Sequence, residues 1–135
     1  MPFRVVIIHD VPEFVESTTE ALRTTGFEVV TYADTMLAID AFKAAPHFDV
    51  LITRVKFRSG MPHGVSLASM ARFQRPGLNV LFVGVPERRE YTDGLGEFLS
   101  APVTAHGVVA MVGKMLAEPS MQWDPDTTLR RIDPN

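Results

Sequence analysis

Phe48-Asp49-Val50-Leu51-Ile52-Thr53-Arg54-Val55 is the stretch on which the fold turns. It is an apolar, β-branched run of strand length, entered from Pro46-His47 and left through the turn-rich residues 56–64. That pattern predicts a short buried strand. Where strands alternate with helices, chemistry collects at the carboxyl ends of parallel strands and their loops. Arg54 falls at that end, so function turns on what a guanidinium does there.

Upstream, residues 3–8 form an apolar run broken only by Arg4, which predicts a strand buried on both faces. Asp10 and Val11-Pro12 follow. Asp is a good N-cap and proline suits the first helical position, so a helix is expected here, with Asp10 as its cap. Phe14, Val15, Thr18, Ala21, Leu22 and Thr25 recur at helical spacing, and Gly26 supplies the stop. A second strand is expected at 27–32. Asp34 or Thr35 then caps a helix with Ala38, Ala41, Phe42 and Ala45 inward, ending before Pro46.

Downstream, the spacing predicts a helix over 65–73 with Leu67, Ala68 and Ala71 inward, stopped by Pro76-Gly77. Residues 79–85 read as a fourth strand. Residues 86–96 hold two glycines and many charges, enough for one or two helical turns. A short fifth strand at 97–100 is broken by Ala101-Pro102. Thr104 caps a last helix through Leu116, with Val108, Val109, Val112 and Leu116 as its stripe and Met111 and Met115 as core filler. Five strands alternating with helices imply an α/β fold, a parallel sheet covered on both faces. The expected division is a domain over 1–117 and a tail over 118–135, pinned by Met121 or Trp123.

Composition narrows the function classes. A chain of 135 residues suits one domain. Its net charge is −3 and its basic residues are scattered, which argues against direct nucleic-acid binding. With no cysteine there is no disulfide framework, thiol nucleophile or Cys-ligated zinc. Met1 leads straight into strand-like residues and no apolar run approaches the length of a membrane span, so a cytoplasmic protein with no membrane association is expected.

Taken together, residues 3–116 resemble the receiver domain of bacterial two-component response regulators. His9-Asp10-Val11-Pro12 falls where that family has its acidic cluster, and residues 48–53 look like the approach to its phosphoacceptor. His63-Gly64-Val65-Ser66-Leu67 resembles the opening of the third helix, and Phe98-Leu99-Ser100-Ala101-Pro102-Val103 the aromatic, Lys-Pro segment at the fifth strand. The resemblance implies a CheY-like, flavodoxin-like doubly wound five-stranded sheet. It also implies a shortened fourth helix, since the stretch from Gly84 to Ala101 is about five residues shorter than the family usually has.

The family's chemistry uses two acidic residues and a nucleophilic Asp around Mg²⁺, with a Ser or Thr and a Lys on the phosphoryl oxygens. Here His9 replaces one acidic residue, leaving Asp10 as the remaining Mg²⁺-type ligand. Arg54 aligns with the phosphoacceptor, Gly84 with the hydroxyl and Ala101 with the Lys; Phe98 keeps the switch aromatic and Pro102 the proline. The resemblance therefore implies a degenerate pseudo-receiver with no metal, no cofactor and no catalytic residue. It would act by phosphorylation-independent contact with a protein: a histidine kinase, regulator or output protein, or a second copy of itself. An Arg54–Asp10 pair is one expected use of the pocket, and capture of an anion by Arg54 another. The rival readings are a phosphorelay carrier or enzyme using His9 and Arg54, and a small-ligand sensor in the cleft around His9, Asp10 and Arg54. His9 and His63 are expected as partly exposed loop residues, and His9, His47, His63 and His106, spread over four segments, in no metal site.

Overall fold

The computed structural model describes residues 2–44, 47–57 and 63–117, with side chains for all but 43 and 44. Met121, Trp123 and the rest of the tail lie outside the described residues, as do Ala45 and residues 58–62 of the loop after the third strand. In chain order the elements are β1 (Arg4–Ile8), α1 (Pro12–Thr25), β2 (Glu28–Tyr32), α2 (Thr35–Ala44) and β3 (Val50–Arg54). They continue as α3 (Gly64–Gln74), β4 (Asn79–Gly84), a 3-10 segment (Pro86–Thr92), β5 (Glu97–Ser100) and α4 (Ala105–Ala117). The strands form one parallel sheet in the order β2-β1-β3-β4-β5. This is the doubly wound α/β fold expected, with a 3-10 segment where an α-helix would join β4 to β5.

The alternation along the central strands explains the two layers. Val5 and Ile7, Val50 and Ile52, and Leu81 and Val83 face one side, where Leu22 of α1 and Val108, Val112 and Met115 of α4 close over them. Val6 and Ile8, Leu51, and Val80 and Phe82 face the other, against Ala38 and Phe42 of α2 and Leu67, Ala68 and Ala71 of α3. Each of these Val, Leu, Ile, Phe and Met side chains contributes roughly 1.5–3 kcal/mol of burial, the alanines less. That is why β1, β3 and β4 read as continuous apolar runs.

Helix ends follow local chemistry, with one correction. Gly26 takes φ 109° and its N–H donates to the Arg23 carbonyl at 3.0 Å, closing α1. Asp34 Oδ1 accepts the Met36 N–H at 2.7 Å, and Thr104 Oγ1 accepts the Gly107 N–H at 3.0 Å. Asp10, however, does not cap α1. Val11 holds the N-cap position with no side-chain hydrogen bond, and Pro12 stands within the first turn. Asp10 stands one residue before the N-cap position, and its Oδ1 accepts from Arg54 instead. Smaller shifts also occur. The third strand is Val50–Arg54, with Phe48 buried just before it; on α4, Val108, Val112 and Met115 are buried while Val109, Met111 and Leu116 pack against them partly buried.

Candidate functional site

Parallel register brings the ends of β1 and β3 side by side, with Ile8 opposite Thr53. Asp10 and Arg54 leave these adjacent strands, and their heads meet: Arg54 Nη1 donates to Asp10 Oδ1 at 2.6 Å. The two ends differ in exposure. The Asp10 side chain is 10% exposed and that of Arg54 is 36% exposed, so the carboxylate is walled in and the guanidinium reaches toward solvent. Burial alone works to raise the Asp10 carboxyl, yet the hydrogen bond and positive charge of Arg54 hold it below its ordinary value.

His9 sits beside this pair and, contrary to the partly exposed position expected of it, is buried, at 8% exposed, because its ring packs against Phe14. Its ring lies 4.3 Å from that of Phe14, and its Nδ1 accepts the Val11 N–H at 3.1 Å. Burial first, and the Arg54 cation second, bring the imidazole down from 6.5 to about 4, against an opposite pull from Asp10. His9 is therefore neutral near pH 7. With Nδ1 accepting, its proton resides on Nε2. The 4.0 Å approach of His9 Nδ1 to Asp10 Oδ1 is accordingly not an ion pair.

Gly84 and Ala101 complete the cleft, about 220 Å³ between His9, Arg54, Val83 and Val103. The Ala101 N–H donates to the Gly84 carbonyl at 2.7 Å, which joins the end of β5 to that of β4. A Cβ placed on Gly84 would lie 3.8 Å from Phe98 Cε2, an ordinary contact. Phe98 is buried beneath, at 7% exposed, with the Arg89 guanidinium 5.0 Å from its ring centre. Thus His9, Arg54, Gly84 and Ala101 line one cleft, Asp10 is bonded to its Arg54, and Phe98 lies under it. His63 is exposed at the start of α3, and His47 pairs with Asp49 at 2.9 Å.

The donor set does not suit Mg²⁺. That ion demands several hard oxygen ligands in near-octahedral order. Asp10 is the one carboxylate in the pair and already holds a cation, while the Thr53 hydroxyl donates to the Arg54 carbonyl at 3.1 Å. Among the described residues no three His, Asp or Glu side chains gather as a metal group.

One positioning residue was not legible as such. Gly64 opens α3 against the end of β3, and its N–H donates to the Val55 carbonyl at 2.9 Å. A Cβ there would fall inside the Arg54 carbonyl oxygen and stand 3.0 Å from Thr53 Oγ1. In the sequence Gly64 looks like loop punctuation. Only the approach of helix to strand reveals the contact.

The chain has the CheY-like receiver fold. A response regulator receiver protein from Sinorhizobium medicae superposes with a TM-score of 0.77 at 20% identity, covering 86% of this chain and 95% of that one. A CheY-like receiver domain protein from Methanospirillum hungatei gives 0.76 at 20%, over 87% and 95%. The chemotaxis protein CheY4 of Vibrio cholerae gives 0.72 at 21%, over 84% and 98%. No protein-family model and no curated protein sequence matches the chain.

Proposed function

We propose that this chain is a non-enzymatic signalling module of the receiver type, one that works by protein contact without being phosphorylated. The observation that carries the reading is the 2.6 Å bond from Arg54 to Asp10 at the strand ends. By the resemblance, Arg54 stands where a receiver carries its phosphoacceptor. A guanidinium offers donors only, so it neither attacks phosphorus nor takes up a phosphoryl group. It also supplies internally the positive charge that Mg²⁺ and a lysine would otherwise bring to the cleft. Its partner is then a histidine kinase, another regulator or an output protein, or a second copy of the chain. No nucleic acid or membrane enters this reading, and a cytoplasmic setting fits it; no helix among the described residues is long and apolar enough to cross a membrane. The carrier reading gains little from His9, whose Nδ1 is occupied and whose ring is buried.

A titration with Mg²⁺ and beryllofluoride, followed by amide NMR, tests this directly. The expected result is a flat response. Saturable shifts centred on Asp10, Arg54 and Gly84 would overturn the proposal. Arg54→Asp, which restores a carboxylate, is expected to label weakly with acetyl phosphate. Gly84 and Ala101 still lack the hydroxyl and ammonium that hold phosphoryl oxygens. Robust labelling of the variant would show that those two positions matter less than proposed.

A further inference from the structure

The amino-terminal ends of β1, β3 and β4 frame a second opening, at the opposite end of the sheet from the Arg54 cleft. It is a groove of about 480 Å³, lined by Phe3, Phe48, Leu78 and Leu116 with Arg75 and Asn79. That volume is within the range of sites that seat a compact apolar group. Phe3 is 46% exposed, a large side chain left open to water at the mouth. Arg75, Asp49 and His47, three of the polar groups nearby, are already engaged. The Arg75 guanidinium lies 4.4 Å from the centre of the Phe48 ring and donates to the Phe42 carbonyl at 3.0 Å. Asp49 accepts the Arg4 N–H at 2.8 Å and pairs with His47. An apolar group can enter without breaking these bonds.

We infer that this groove is the seat of the chain's own C-terminal segment, with Trp123 as the anchor and Met121 beside it. Three observations choose this occupant. Leu116, which lines the groove, is followed by Ala117, the last described residue, so the segment departs from the groove's own lip. Trp123 is six residues beyond Ala117, a reach of up to about 20 Å. So short a tether sets an effective concentration in the millimolar range, which any outside partner must exceed. Third, Met121-Gln122-Trp123 joins a flexible apolar side chain to the chain's single tryptophan, and Asp124 follows with a charge opposite to that of Arg75. Docking of this kind covers Phe3 and leaves the Arg54 cleft open.

Because Trp123 is the only tryptophan, intrinsic fluorescence of the full chain reports on it alone. The expected result is an emission maximum to the blue of that of the urea-unfolded chain, with acrylamide quenching several-fold weaker. Phe3→Asp should return both toward the unfolded values. Gly77→Glu provides a second variant that spares the core, since Gly77 lines the groove and a Cβ there meets nothing within 4 Å. Phe73→Asp, a change at a residue 74% exposed on α3, should leave the fluorescence unchanged. Quenching equal to that of the unfolded chain would overturn the inference. So would protection that survives both groove variants, which would place Trp123 elsewhere. Protection that fades on dilution together with a dimer mass would assign the groove to a second copy, and would overturn it too.

Discussion

Replacing Gly64 with alanine is expected to cost at least about 3 kcal/mol of folding stability, at the upper end of what overpacking does. The obstacle is backbone rather than a yielding side chain: the new methyl would occupy the place of the Arg54 carbonyl oxygen. Relief requires α3 to back away from β3, which breaks the 2.9 Å bond from the Gly64 N–H to the Val55 carbonyl. It also shifts the strand end from which Arg54 reaches Asp10. Gly113→Ala is the matching control. Gly113 is an exposed residue within α4 and a Cβ there meets nothing within 4 Å, so alanine should be neutral or stabilise by up to about 1 kcal/mol. Urea unfolding of both variants beside the parent measures the contrast. A Gly64→Ala protein within 1 kcal/mol of the parent would mean that α3 does not press on β3 as described.

The second large effect concerns acid. His9 takes up a proton near 6.5 in the unfolded chain but only near 4 in the folded one. Between these values the unfolded state binds more protons, so stability rises with pH and is complete above about 6.5. It falls as pH drops through the window, by about 3 kcal/mol if the full difference is expressed. His9→Asn removes the titrating group. The parent should therefore lose about 2–3 kcal/mol more than the variant when urea midpoints at pH 7.5 and 4.5 are compared. Taking the difference removes the titrations that the two proteins share. Equal losses in the two proteins would show that His9 is not buried in its neutral form.

The layers of this fold were legible because apolar runs and helical stripes are local properties. Val5–Ile8 reads as buried on both faces whatever lies beyond it, and Thr104 announces a helix that begins one residue later. The site was legible only in part. That Asp10 and Arg54 could share a cleft followed from strand order, but that they bond depended on a residue 44 positions away. The neutrality of His9 was hidden for the same reason, since Phe14, Arg54 and the Val11 N–H together create its surroundings.

The 3-10 segment between β4 and β5 has a mechanical consequence. An α-helix in its place would clamp that border with a whole apolar stripe, whereas Pro86–Thr92 buries only Thr92. β5 spans four residues and bonds to the sheet along one side. This margin is therefore expected to open locally at a free-energy cost below that of complete unfolding, whereas the central strands β1, β3 and β4 part only when the molecule melts as a whole.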